Sequence, residues 1–416
     1  MLDIFVHDIL GTPSILIGIF VFIGLLLLKK PFTNVLTGTI KTIMGFILLG
    51  AGAGIISGTL TIFNEMFTQA FGLQGVVTNT DAMGALTNEK YSTAAFILIF
   101  GMAVNLLIAK FTRFKYIYLT GHLTMYMSGM LAMIFSGVTP WLAVVIGAII
   151  LGAYMAIGPA LIQKNTMMIT DSDDFAIGHS GTLSYFLASK LGGLIGNKSK
   201  STEDINVPKG LSFLRDSSIA ISLTMTILFV IVGFFAGPGY IETELSSGQF
   251  FVVFSLIQGI TFAAGVYVVL AGVRMALTEI VPAFQGIADK VIVGAKPALD
   301  CPIVFPFAPN AVIIGFISSF LAGLLGMFLL SFSKLPVIVP GMTPHFFTGA
   351  TAAIYGNSTG GRRGAVAGAV MNGLLISILP AVFMAVVGGL SHNMTFGDPD
   401  FTIVGLFSDL IAKLLN

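Results

Sequence analysis

Stretches of about twenty apolar residues, nearly free of charge, recur from one end of the chain to the other. They cover roughly Ile9–Leu28, Val35–Ile56, Thr93–Leu107, Tyr116–Phe135, Trp141–Leu161, Ile219–Phe235, Phe250–Val273, Ala311–Phe332, Val337–Tyr355 and Ala365–Val387. About 20 helical residues cross a hydrocarbon core of about 30 Å. The pattern therefore predicts an all-α, polytopic membrane protein with about 10 to 11 transmembrane helices. Asp3 and Asp8 precede the first run and Lys29-Lys30 follow it, the reverse of a signal peptide's charge order. That run is expected to stay in the protein with its N-terminus outside. Three intervening segments, Phe63–Tyr91, Asp173–Gly193 and Met275–Asn310, are too polar for lipid and too apolar for ordinary loops. They predict re-entrant or broken helices, which are tolerated at membrane depth only inside protein or along a cavity. Gly196–Asp216 is the one hydrophilic stretch and reads as a cytoplasmic loop.

Composition sharpens this picture. Of 416 residues, 56% are apolar and only 9% charged, with a mean hydropathy of +0.97. Soluble chains carry about 25% charged residues, so a soluble enzyme or a nucleic-acid binder is excluded. The expected spans, threaded from an outside N-terminus, put 17 of the 20 lysines and arginines on one face and leave Lys90, Lys334 and Lys413 for the other. Such asymmetry marks the cytoplasmic side. Cys301 is the only cysteine, which rules out an intrachain disulfide and a cysteine metal cluster.

Weak internal matches recur at an offset of about 220 residues, the signature of a duplication. Gly45, Ala51 and Gly52 return as Gly265, Ala271 and Gly272, Asp81 returns as Asp300, and the string around His122 resembles the string around Met342. Asp174-Phe175-Ala176-Ile177 resembles Asp400-Phe401-Thr402-Ile403. The expected organisation is a first membrane repeat (1–195), a loop (196–216) and a second repeat (217–416). An odd number of crossings per repeat places the second copy upside down.

An ionisable group at membrane depth is costly, so each one is a functional candidate. Asp81, His122, His179, Glu279 and Asp300 stand out. His179 follows Gly178 in FAIGHSGT, and Asp300 lies in a proline-rich stretch, ALDCPIVFPFAPNA, that must break a helix. A carboxylate there can accept a ligand hydroxyl or its proton. Its structural alternative is a pair with Arg274. Glu279 fits that pair as well, so it reads as structural, and Asp81 can equally be a helix cap. Gly50, Gly54 and Gly58 share one helical face and suggest a packing seam. Cys301 reads as a small apolar residue. No motif for ATP hydrolysis and no metal-ligand spacing occurs, so neither a cofactor nor a metal is expected.

GTIKTIMGFILLGAGAGI (Gly38 to Ile55), LTGH (Leu119 to His122), FAIGH (Phe175 to His179), GVRMALTEIVPAFQGI (Gly272 to Ile287) and LDCPIVFPFAPNAV (Leu299 to Val312) resemble the IIC membrane component of ascorbate-type phosphotransferase systems. Galactitol-type IIC proteins are more distant relatives. The resemblance implies a homodimeric permease of the bacterial inner membrane, with core and scaffold domains interleaved across both repeats and an elevator-like motion. It implies separate IIA and IIB partners and L-ascorbate or a related sugar or polyol as substrate. Phosphotransferase activity would exist only together with those partners. The ligand pocket it implies comprises Gly52, Thr80, Asp81, His122, Tyr126, His179, Ser180 and Asp300, with Asp300 also catalytic. His122, His179 and Asp300 match the family pattern. Asp81 stands where ascorbate permeases have a tyrosine, and Tyr126 and Ser180 stand where they have glutamines. A carboxylate in place of a phenol disfavours an anionic ligand, which keeps a neutral polyol open. Two other classes stay open: an ion-coupled transporter using Asp81 and Asp300, and a receptor that kept the fold without transporting.

Overall fold

The computed structural model describes residues 12–72, 75–78, 80, 91–205, 217–388 and 394–415. Long apolar helices dominate it. They are α1 (Pro13–Leu27), α2 (Phe32–Phe71), α3 (Tyr91–Phe111), α4 (Gly121–Ile134), α5 (Pro140–Thr170), α6 (Thr182–Ile195), α7 (Ser217–Ala236), α8 (Phe251–Lys290), α9 (Pro309–Leu330), α10 (Met342–Val387) and α11 (Pro399–Leu415). Six helices among the described residues are long and apolar enough to cross a membrane, and α7 with the bent turn after it makes a seventh. The chain is thus an all-α polytopic membrane protein.

The sequence expects ten spans, and the difference has local causes. Tyr116–Phe135 divides into a three-residue strand and the short helix α4. Val337–Tyr355 and Ala365–Val387 fall largely within one helix, α10, broken at Gly361 with φ 59° and ψ −150°. Only glycine adopts that backbone readily, and a Cβ there would lie 2.3 Å from the Asn197 carbonyl oxygen. Residues 196–205 dock onto this break: Arg362 donates to the Ser201 and Asp204 carbonyls at 2.9 and 2.7 Å, and Glu203 accepts the Asn310 and Ala311 N–H groups that open α9.

Six short strands form two parallel sheets. The first has the order β5 (Ile338–Val339), β1 (Val76–Thr78), β6 (Met394–Thr395); the second has β2 (Tyr116–Tyr118), β4 (Lys296–Leu299), β3 (Ala176–Ile177). Each sheet takes its central strand from one half of the chain and its edges from the other. The register follows Tyr118 opposite Ala298 opposite Ala176. Ala176–Ile177 form a strand whereas residues 400–403 lie in α11, so the match of Asp174–Ile177 to Asp400–Ile403 joins unlike elements. Lys296 forms an ion pair with Asp173 where the second sheet begins. Burial opposes ionisation of Asp173, yet the Lys296 and Gln163 hydrogen bonds outweigh it and hold the carboxyl below its usual range. That support is complete above a pH of about 4 and is lost as pH falls through the lowered value.

Helices α1, α2, α7 and α8 pack mainly on one another, and α3 to α6 with α9 to α11 form the other group. Helices α2 and α8, each 40 residues, are about 60 Å long. They cross antiparallel: a Cβ on Gly45 would meet the Gly272 carbonyl at 3.0 Å, and one on Gly52 the Gly265 carbonyl at 2.7 Å. The seam expected at Gly50, Gly54 and Gly58 is not there. Those three positions meet nothing within 4 Å, and two of them, Gly50 and Gly54, border a cavity. Gly52→Ala is expected to destabilise the protein by roughly 1–3 kcal/mol through forced separation of two backbones, whereas Gly54→Ala should leave thermal unfolding in detergent unchanged. Equal melting temperatures for the two variants would refute this assignment of the packing face.

Candidate functional site

The three strands of the second sheet run parallel, so their C-terminal ends arrive together. After β2 the chain passes Thr120 and Gly121 and starts α4 with His122 in its first turn. After β3 it passes Gly178 and His179 before α6 begins. After β4 comes Asp300, whose carboxylate accepts the Cys301 N–H at 2.7 Å and so caps a 3-10 helix, Cys301–Phe307. Backbone bonds lock the junction: Leu119 N–H donates to the Ala298 carbonyl and Gly178 N–H to the Leu299 carbonyl, while the Thr120 hydroxyl reaches the Gly178 carbonyl at 2.6 Å. As a result the Nε2 atoms of His122 and His179 each stand 3.8 Å from an oxygen of Asp300. The Arg274 pairing considered for Asp300 is not formed. Glu279 instead lies 3.6 Å from Lys41, in keeping with a structural role.

These tips face a cavity of about 730 Å³, within the usual range for small-molecule sites of roughly 300–1,000 Å³. The ends of the first sheet close it from another side with Thr78, Thr80, Gly341 and Asp398. Its remaining wall is the face of α2 bearing Gly50, Ala53, Gly54, Ser57 and Thr61. The cavity therefore lies between the two helix groups.

The sequence-derived pocket residues distribute as follows. His122, His179, Asp300 and Thr80 line the cavity, and Thr80 also accepts the Gly397 N–H at 3.0 Å. Gly52 is turned toward α8, with its neighbours on α2 bordering the cavity. Tyr126 places its ring edge-on to His122 at 6.0 Å. Ser180 is buried and donates to Asp398. Asp81 lies outside the described residues.

The contacts of His179 select its neutral tautomer. Its Nδ1 accepts the Gly181 N–H at 3.0 Å and lies 2.8 Å from the Tyr185 hydroxyl. A ring nitrogen that accepts carries no proton, so in the neutral ring the proton sits on Nε2, facing Asp300. His179, Asp300 and Cys301 offer ligand atoms within 4.8 Å of one another. A metal would need the Nε2 lone pair, which this tautomer lacks, so the arrangement suits donation to a ligand oxygen. Cys301 is fully buried, as expected of a small packed residue.

Sequence reasoning missed the group that holds His179 in place. Asp400, at the start of α11, accepts the Thr182 and Leu183 N–H groups at 3.0 Å each and the Tyr154 hydroxyl at 3.1 Å. It thereby satisfies the free N-terminus of α6. The signal was available: Gly-Asp-Pro-Asp at 397–400 puts two acids into a chain with few. Asp400→Ala is expected to cost roughly 1–2 kcal/mol of stability and to weaken ligand binding as the 179–182 turn loosens, while Asp400→Asn should retain most of both. Unchanged unfolding and binding in the alanine variant would remove Asp400 from the site.

Strand tips and broken helices that bring a few polar groups to a cavity inside an apolar helical bundle are the architecture of multi-pass transport proteins. Within that class, the chain belongs to the family of the PTS system sugar-specific permease component, EIIC-GAT, which it matches over residues 8–400. It is also similar to the ascorbate-specific PTS system EIIC component of Mycoplasma pneumoniae, with 27% identity over 422 residues, 87% of this chain and 63% of that protein. The chain spans somewhat under two thirds of that relative's length.

Proposed function

We propose that this protein is the membrane subunit through which a sugar or polyol, of the class that includes L-ascorbate, enters a bacterial cell across the inner membrane and is phosphorylated. The phosphoryl donors are separate IIA and IIB proteins, and the family membership supports that assignment. The observation that carries the reading is the convergence of Asp300, His122 and His179 on one cavity between the two helix groups. Asp300 aligns the acceptor hydroxyl and takes its proton while the new oxygen–phosphorus bond forms and the sulfur–phosphorus bond to the IIB cysteine breaks. The histidines hold neighbouring hydroxyls. Phosphoryl transfer depends chiefly on positioning and charge stabilisation, so a sparse polar set suffices.

Translocation follows as an elevator motion of the strand-bearing group against the α1, α2, α7 and α8 group, with a second copy of the chain docked on the latter. The antiparallel crossing of α2 and α8, through Gly45 with Gly272 and Gly52 with Gly265, supports this reading, because those helices are the pair that an inverted duplication at an offset of about 220 residues would relate. The exchange of central strands between the two sheets supports it as well. The ion-coupled reading gains no comparable support, since Asp81 lies outside the described residues.

The test uses cells or vesicles with the complete phosphoryl chain and labelled ascorbate, galactitol and pentitols. One labelled phosphorylated product should accumulate, and Asp300→Asn and His179→Ala should each lower its rate on the order of a hundredfold with the protein still folded in detergent. Wild-type rates in either variant would displace the proposed pocket.

A further inference from the structure

The hydrophilic stretch that begins at Gly196 is not a free loop over residues 196–205. It is bound into the helix group that carries the strand tips. Asn197 N–H donates to the Gly360 carbonyl at 2.8 Å, and Thr202 N–H to the Asn357 side chain at 2.9 Å. The Asn357 amide in turn donates to the Ser201 hydroxyl at 3.0 Å, and Arg362 holds the Ser201 and Asp204 carbonyls. This frame, anchored at the break in α10, aims the half-buried Glu203 at the start of α9. Its Oε2 accepts the Asn310 N–H at 3.2 Å and its Oε1 the Ala311 N–H at 3.1 Å. The buried Thr202 hydroxyl donates to the same Oε1 at 2.9 Å.

The start of α9 matters because of what precedes it. Between Asp300 and α9 lies the 3-10 helix Cys301–Phe307, a rigid spacer about 14 Å long. Pro302, Pro306 and Pro309 remove backbone donors from this stretch, so its position depends on its two ends. One end is β4, paired on both sides in the second sheet. The other is the first turn of α9, where Pro309 has no N–H and Val312 donates to the Ala308 carbonyl at 3.3 Å. Asn310 and Ala311 rely on Glu203. Ala311 is fully buried, so water cannot replace that acceptor, and a carboxylate there also meets the positive end of the helix dipole.

We infer that Glu203 is a positioning residue for Asp300. It pins the first turn of α9 and, through the 3-10 helix, sets where the Asp300 carboxylate stands relative to His122 and His179. The consequence for turnover rests on the permease reading, in which Asp300 meets the acceptor hydroxyl; the placement itself does not.

The test begins with hydrogen–deuterium exchange of the purified full-length protein in detergent, comparing Glu203→Ala and Glu203→Gln with the wild type. Glu203→Ala should speed exchange on the order of tenfold at residues 301 and 303–305 as well as at 310–312, with α2 and α8 unchanged. Glu203→Gln keeps one acceptor oxygen and should fall between the two. The second readout is phosphorylation of labelled ascorbate, galactitol or pentitols by the complete phosphoryl chain. Glu203→Ala should lower kcat on the order of tenfold with KM within about twofold, because the reacting group is displaced while the binding groups remain. Glu203→Gln should recover part of that loss. Faster exchange confined to 310–312, a raised KM at wild-type kcat, or wild-type kcat in a folded Glu203→Ala protein would each overturn the inference. If the alanine variant does not fold, the glutamine variant decides by the same criteria. A wild type that phosphorylates none of these sugars with active partners would count against the permease reading alone, and the exchange pattern would still decide whether Glu203 places Asp300.

Discussion

Every backbone N–H and C=O at membrane depth needs a partner from the protein, because lipid offers none. Continuous helices meet that requirement by themselves; a binding site cannot be made from them alone, since a ligand needs free polar groups. The chain resolves the conflict by breaking its helices only where another segment satisfies the break. Two three-stranded sheets, a 3-10 turn capped by Asp300, and Asp400 at the head of α6 are the local solutions. The cavity exists because these breaks are brought to one place.

Fixed geometry at the strand tips gives the site its chemistry. His122, His179 and Asp300 come from segments far apart in sequence, but parallel pairing sets all three at the same level. At 3.8 Å neither Nε2 is within hydrogen-bonding distance of the carboxylate, so a ligand hydroxyl lying beside the pair can engage both. Rigid support comes from the Gly181 and Tyr185 bonds to His179, while the facing wall on α2 mixes small residues, Gly50, Ala53, Gly54 and Ser57, with the larger Phe46, Leu49 and Leu60.

Much of this was legible in the sequence. Apolar length gave the membrane class, and scarcity of charge made Asp300, His122 and His179 conspicuous. The Gly45, Gly52, Gly265 and Gly272 match found the right residues for the central crossing. What sequence could not supply was facing. Gly52 and Gly54 differ by half a turn of helix, and only the partner helix decides which of them packs and which borders the cavity. Strands of two to four residues carry too little periodicity to be seen, so Tyr116–Tyr118 was absorbed into an apolar run. Asp398 and Asp400 escaped because their partners, Ser180 and the start of α6, lie more than half the chain away.

The exchange of central strands also bears on how the protein is made. β1 has its two neighbours in β5 and β6, so while the chain emerges from the ribosome this strand has no partner until Ile338 and Met394 have been synthesised. The first half thus enters the membrane with an unfilled hydrogen-bonding edge, and neither half contains all the strands of either sheet. Long-range pairing of this kind is slow to form and exposed to mispairing while it waits. The first sheet therefore closes only after residues 394–395 have been made, whereas the second can close once residues 296–299 have been.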